Sequence, residues 1–320
     1  MKDNAWYDVF IEKLYKKYPK RTQLLPEIMD LLHIERETVY RRLRKDVVFT
    51  AHEIAKLAST WNISLDNIMG IKSGSISFQM QPMNYLYPTA QDIKNLHNMV
   101  QRLEHVETVS ESEYMEVCNR LPRSLTAGFT NLYRFEIFKW AYQYYGERNN
   151  TLFSQTIIPE KVVKELEEYN RIIKNMSNTY FLWDDQIFSY LVRNIRYFHS
   201  IMLISDEDKE LIKKDMLSLL DYMLAISNTG CYPETQNKVN LYISQLNIDT
   251  NYSYIYTEKL KICRVHVFGK YDIYAYDPEM VDNFKTWMLM KRRTSIQISE
   301  VDEKNRIEYF AEQRKLVESL

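Results

Sequence analysis

Residues 33–50 read HIERETVYRRLRKDVVFT, and five positive and one negative side chains stand between Arg36 and Lys45 in a chain whose formal net charge is only −1. At helical spacing Val39 and Leu43 share one face, whereas Arg36, Glu37, Tyr40, Arg41 and Arg44 turn the other way. The stretch from about Glu35 to Lys45 therefore reads as a short helix with two apolar anchors and a polar outer surface. A charge run of this kind is most often a solvated helix face. Basic residues near a helix C-terminus complement its macrodipole by roughly 0.3–1 kcal/mol with no partner present. The neighbouring elements decide whether this helix has a task beyond that.

Upstream, Trp6, Val9, Phe10, Leu14 and Tyr18 recur at three- and four-residue steps, the mark of an amphipathic helix, which Pro19 closes. A second helix is expected to start with Thr22 as N-cap, to hold Pro26 in its first turn, and to show Leu25, Ile28, Met29 and Leu32 to a core. It ends near His33. Downstream, Thr50-Ala51-His52-Glu53 is a capping box, in which hydroxyl and carboxylate satisfy the orphan amides of a helix start. Ile54, Leu57, Ala58 and Trp61 give that fourth helix its stripe. Ser64 caps a short fifth helix with Leu65 and Ile68, and Gly70 ends it. No repeat period runs through these residues, so five short helices make a globule rather than a solenoid.

In that order, IMDLLHIERETVYRRL and FTAHEIAKLASTWNISLDNIMG resemble helices two to five of the lambda-repressor-like helix-turn-helix family of bacterial and phage regulators. The likeness covers about Trp6 to Gly70, with NISLDNI matching the closing turn and helix. The family usually has Gly where this chain has His33, and a phosphate-contacting Gln where it has Leu25, although Gln23 stands nearby. The resemblance implies that helix three enters the major groove of double-stranded DNA, with Arg36, Glu37, Tyr40 and Arg41 toward base edges. The chemistry suits that role, because Arg donates two hydrogen bonds to guanine and a carboxylate accepts from cytosine, each good bidentate pair discriminating by roughly 1–3 kcal/mol. Phosphate contacts are expected from Arg44 and Lys45, and from Lys20, Arg21, Thr22 and Gln23 at the start of helix two, where the dipole favours an anion.

Charge limits the reading. Positions 1–70 carry 12 Lys and Arg against 10 Asp and Glu, a net of +2, so one copy is expected to bind DNA weakly and a homodimer on two half-sites about 34 Å apart would double the phosphate contacts. From 71 to 91, Ser73, Gly74, Ser75, Ser77, Pro82 and Pro88 break any helical period, and a linker is expected there. Ile93, Leu96, Val100 and Leu103 then repeat as two heptads. Those four residues are candidates for the dimer contact, with packing inside the second domain equally open.

The remaining domain, 92–320, is expected to be helical first and α+β later. Helices are read from Tyr114 to Cys118, Phe129 to Tyr145, Glu160 to Lys174, Asp185 to His199 and Asp206 to Ile226. After Pro233 the runs VNLYISQL, YSYIYT, LKICRVHVF and YDIYAYD favour short antiparallel strands, followed by a helix from Pro278, a strand near Ser295 and a closing helix from Asp302. The fold class expected is mainly α with a C-terminal α+β portion holding a small antiparallel sheet. Aromatic residues crowd between Phe129 and Tyr145 and again between Tyr180 and Phe198. At helical spacing these are chiefly core, although a cleft so lined would also hold a small effector or a partner segment.

Several functions are disfavoured. Gly occurs six times, and neither the GxGxxG nor the GxxxxGK spacing is present, so phosphate-cradling loops are not expected. Cys118, Cys231 and Cys263 form no CxxC pair, and His97 and His105 stand eight residues, about 12 Å, apart on one helix, too far for one metal. The adjacent carboxylates Glu167-Glu168 and Asp184-Asp185 diverge on a helix. Ala127-Gly128 resembles the scissile dipeptide of self-cleaving phage repressors without the serine and lysine that would act on it. No cofactor, no metal and no enzyme are expected. Asp3, Asp8 and Glu12 near the start, and the lack of any long apolar run, predict a cytoplasmic protein without signal peptide or membrane span. The expected function is a sequence-specific DNA-binding transcription regulator whose larger domain dimerises or senses a signal. The rival is a protein-interaction adaptor on a helix-turn-helix fold, and a third possibility is an enzyme in the C-terminal domain.

Overall fold

In a computed structural model of the protein, the two apolar anchors of the helix expected from about Glu35 to Lys45, Val39 and Leu43, are buried and its Arg36, Arg41 and Arg44 are exposed. The structure describes residues 5–17, 21–61, 63, 65–68, 78–80, 82–104, 106, 109–126, 128–146 and 151–320. The chain divides into two units, Met1–Ser75 and Ile76–Leu320, with separate apolar cores. Among the described residues no helix is long and apolar enough to cross a membrane.

The first unit carries α1 (Ala5–Lys17), α2 (Arg21–Leu32), α3 (Arg36–Leu43), α4 (Ala51–Thr60) and α5 (Leu65–Ile68). The stripe that α1 buries is Tyr7, Phe10, Ile11 and Leu14, while Val9 is exposed and Trp6 half-buried. The expected stripe was rotated, because Tyr7 and Phe10 both close on Phe49 across the core. Two details of α2 also differ from expectation. It begins at Arg21, so Thr22 lies within it rather than capping it, and Pro26 stands in its second turn. The Thr50–Glu53 capping box of α4 is formed by both of its bonds. Tyr18, Pro19, Ser64 and Gly70 lie outside the described residues.

The second unit is a three-layer α+β arrangement on one eight-stranded mixed sheet, in the order β1 (Gln79–Met80), β7 (Tyr271–Ala275), β6 (Lys261–Val267), β5 (Tyr252–Tyr256), β2 (Glu113–Cys118), β3 (Asn178–Asp184), β4 (Lys238–Ser244), β8 (Ser295–Gln297). Its centre, β2-β3-β4, is parallel, and β5, β6, β7, β1 and β8 extend it antiparallel. The expectation of a small antiparallel sheet is thus corrected, as is the helix expected at Tyr114 to Cys118. Those residues are β2, and Tyr180 to Trp183 lie in β3. Central parallel strands are buried on both faces and read as unbroken apolar runs, which periodicity alone does not separate from a buried helix.

Helices α7 (Arg123–Thr126), α8 (Thr130–Tyr145) and α9 (Glu160–Lys174) connect β2 to β3, and α10 (Ile187–Ser200) and α11 (Asp206–Thr229) connect β3 to β4. With α6 (Ala90–Glu104) and α13 (Glu303–Glu318) they cover the sheet face that carries Tyr114, Phe181, Trp183, Leu241 and Ile262. Among the described helices, α12 (Pro278–Lys291) covers the other face, setting Val281, Phe284 and Met288 on Met115, Val117, Leu182 and Cys263. The edge strands β1 and β8 are two and three residues long, which leaves little unpaired edge for another strand to join.

The expected 71–91 linker is shortened from its far end. Residues 71–77 and 81 lie outside the described residues, but β1 pairs with β7, and Met83 and Tyr85 are buried.

Candidate nucleic-acid interface

Val39 and Leu43 fix which way α3 faces, and Tyr7 of α1 fixes its depth. The Tyr7 side chain is fully buried. Its hydroxyl donates to the Arg42 carbonyl (3.1 Å) and accepts from the Phe49 amide (3.0 Å), tying the end of α3 to the chain that enters α4. Burial pushes the phenol's pKa up, so it stays a donor. Arg42 continues the same clamp. Its guanidinium donates to the Val48 carbonyl, pairs with Glu53 at 2.9 Å and lies over the Phe49 ring. Glu53 therefore acts twice, as N3 residue of the capping box and as counter-ion to α3.

Both ends of α3 are set by residues in the left-handed region. His33 has φ 55 and donates its amide to Met29, closing α2. Lys45 has φ 70, and the amides of Lys45 and Asp46 bond the carbonyls of Arg42 and Arg41, a Schellman ending. A left-handed conformation costs a non-glycine residue about 1–2 kcal/mol, so neither turn is held by backbone preference.

The outer face of α3 brings the base-contact candidates together. Arg36, Glu37 and Arg41 are exposed and Tyr40 is half-buried. The Arg36 and Arg44 guanidiniums lie 5.7 and 5.6 Å from the Tyr40 ring centroid, one turn to either side. Each exposed cation–π contact is worth about 0.5–1 kcal/mol, and together they align Arg36, Tyr40 and Arg44 in a row. Stacking on a ring occupies the face of a guanidinium and leaves its N–H fork free.

The phosphate candidates are less uniform. Arg44 and Gln23 are exposed. Lys45 is also exposed but rests on Asp8 at 2.5 Å, a surface pair of little energetic weight that a phosphate can displace. Lys20 lies outside the described residues, and Arg21 and Thr22 are placed by the first turn of α2.

Of the two roles left open for Ile93, Leu96, Val100 and Leu103, packing within their own unit is the one their burial favours. Leu96, Val100 and Leu103 are 6%, 1% and 3% exposed, and Ile93 is half-buried against the same unit. Because α6 turns this stripe onto its own sheet and helices, the seam is not free to receive a second copy. A helical a/d pattern looks the same whichever chain supplies the partner surface.

Nothing in the residue pattern announces the second unit's polar interior. Pairing across β2, β5, β6 and β7 puts Glu116, Ser253, Arg264 and Tyr274 in one row, with His266 and Asp272 beside it. Glu116 stands 137 positions before Ser253 and 158 before Tyr274, and only the sheet register unites them. Arg123 of α7 reaches the Asp272 carboxylate (3.1 Å) and the Lys270 carbonyl (3.0 Å), and His266 Nδ1 lies 2.8 Å from Asp272. The two guanidiniums, Arg123 before Arg264, and the His266 bond hold the Asp272 carboxyl far below the usual carboxylate range against burial, which acts the other way. Ser253, Arg264 and Tyr274 of the row, with Asp272, line a cleft whose cavity volume is about 100 Å³. Among the described residues no three His, Cys, Asp or Glu side chains gather as metal ligands. His105 and Ala127 lie outside the described residues. Asp184 closes β3 and takes the Ile248 amide, and Asp185 points to Gln186. Cys118 and Cys263 are buried and unbridged.

The chain matches no protein-family model, no curated protein and no solved structure.

Proposed function

We propose that the protein is a sequence-specific DNA-binding transcription regulator, acting in the cytoplasm of a bacterial cell, whose first unit is a lambda-repressor-like helix-turn-helix domain. What carries this reading is the outer face of α3. Arg36, Glu37, Tyr40, Arg41 and Arg44 share it, exposed or half-buried, on a helix whose other face is pinned through Val39, Leu43 and the Tyr7–Arg42–Glu53 contacts. Two turns of helix, about 12 Å, suffice to put several side chains on successive base pairs in a major groove. Binding by two copies is part of the proposal, since a net of +2 over positions 1–70 supplies little attraction for a single copy. The second unit supplies the pairing, the sensing of a signal, or both.

Selection of bound fragments from random DNA at low salt tests this directly. An enriched, pseudo-palindromic motif is expected, with an affinity that falls steeply as salt rises. Arg36→Ala should relax preference at one position, at a cost of about 1–3 kcal/mol there, whereas Lys45→Ala should weaken all sequences alike. No enrichment at low salt would favour the adaptor. That second reading draws on one observation: Arg42 is consumed by Glu53 and Val48, so part of the basic cluster serves the fold itself.

A further inference from the structure

The cleft of the second unit has two chemically different ends. Leu96, Met99 and Leu103 of α6 and Leu166 of α9 form an apolar wall, facing Ile255 and Ile262 on the sheet. At the other end Arg264 rises from β6 and Arg123 comes in from α7.

The Arg264 fork is short of partners of ordinary length. Its Nε donates to Ser253 Oγ at 2.7 Å. Its terminal nitrogens find only the Tyr114 hydroxyl at 3.3 Å, the Tyr169 hydroxyl at 3.5 Å, Glu116 at 3.6 Å and Asp272 at 3.9 Å. Good charge-assisted bonds are about 2.7–2.9 Å long, so the end of this buried fork is loosely satisfied. Beside Arg123, Tyr133 also lines the cleft. Its side chain is 8% exposed, and its hydroxyl is buried without a hydrogen-bond partner. Buried polar groups left unpaired cost about 1–3 kcal/mol each. The unpaired Tyr133 hydroxyl and the long-bonded Arg264 fork line the same cleft, on either side of Arg123 and Asp272, and mark a place where an acceptor would be welcome.

Charge narrows the acceptor. Three guanidiniums, Arg102, Arg123 and Arg264, and two carboxylates, Asp92 and Asp272, line the cleft. One negative charge is therefore balanced there, and a polyphosphate is not. A cation would meet two guanidiniums at the polar end, where Asp272 is already held by Arg123 and His266, and Glu116, behind Arg264 and outside the lining, already accepts from the Tyr114 hydroxyl. A wall of leucines and a methionine asks for an apolar body.

We infer that this cleft is a binding site for a small monocarboxylic acid with an apolar or aromatic body, its carboxylate on the Arg264 fork near the Tyr133 hydroxyl and its body between α6 and the sheet. The inference concerns the second unit alone and stands or falls separately from the DNA reading.

The test uses the full chain and three probes with one body and three head groups: phenylbutyrate, phenylbutanol and phenylbutylamine. Calorimetry and thermal unfolding should show phenylbutyrate binding at a Kd of about 1 mM or tighter, the affinity a ligand of this size reaches with ordinary efficiency. The alcohol should bind about tenfold or more weakly and the amine not at all, as loss of a charge-assisted bond predicts. Arg264→Lys, which keeps the charge and loses the fork, should weaken the acid by about tenfold as well. Should that variant not fold, Met99→Trp fills the apolar end and should abolish acid binding with the circular dichroism of the native chain retained. Equal binding of acid, alcohol and amine, undiminished acid binding in Met99→Trp, or no binding of the acid would each overturn the assignment.

Discussion

Glu53 shows how much one side chain decides in the first unit. It accepts the Thr50 amide at 2.6 Å and pairs with Arg42 at 2.9 Å, so the start of α4 and the orientation of α3 share one carboxylate. Thr50→Ala removes a single cap and should cost about 1 kcal/mol. Glu53→Ala removes the reciprocal cap and the counter-ion of a largely buried guanidinium, and should cost about twice as much by denaturant unfolding. Equal losses in the two variants would show that the Arg42 pair contributes nothing. The left-handed residues allow a second comparison. His33→Gly and Lys45→Gly should each stabilise the unit by roughly 0.5–1 kcal/mol, the relief of strain less the larger unfolded-state entropy of glycine. On the DNA reading only Lys45→Gly should also weaken DNA binding, because only Lys45 is expected to meet a phosphate.

At the scale of elements, α3 and α6 make opposite use of the same pattern. Helix α3 buries two residues and leaves a charged row outside, whereas α6 buries Leu96, Val100 and Leu103 within its own unit. Leu103→Ala should therefore behave as a core truncation, costing about 2–5 kcal/mol, with the sedimenting mass of the folded chain unchanged. A fall in mass at little cost in stability would restore the seam to an interface. The aromatic crowd divides likewise. Phe135, Phe138, Phe153 and Phe198 pack ring on ring in the core, Trp183 donates its indole N–H to the Tyr309 hydroxyl at 2.9 Å, and Tyr133 alone of the α8 tyrosines lines the cleft. Spacing told apart neither group, because both sets satisfy a helical or strand period.

For the molecule as a whole, the buried polar row predicts how stability responds to acid. His266 is 6% exposed and donates Nδ1–H to Asp272 as a neutral ring. Burial, opposed by the bond to Asp272 and reinforced by the charges of Arg123 and Arg120, lowers its pKa from the ordinary 6.5 to about 4. The unfolded chain then takes up a proton that the folded chain refuses, so stability is lost as pH falls through the window between those two values. Between about pH 7 and pH 5 the loss should be on the order of 2 kcal/mol. His266→Gln should flatten that slope, and an unchanged slope in the variant would assign it to other groups. Glu136, held near 2 by Lys139 and Arg120 against its burial, adds its loss only at lower pH, as its own unfolded-state proton uptake begins near 4.5.

What the sequence by itself determined is local. The anchors Val39 and Leu43, the Thr50–Glu53 capping box and the helices and strands after Pro233 follow from contacts within a few residues, where side-chain chemistry and backbone preference speak for themselves. The tertiary structure alone decided the parallel centre of the sheet, the inward turn of α6 and the Glu116–Ser253–Arg264–Tyr274 row. Strands buried on both faces lose the alternation that reveals them, an apolar stripe does not name the surface it will meet, and residues far apart in the chain become neighbours only when strand register is fixed.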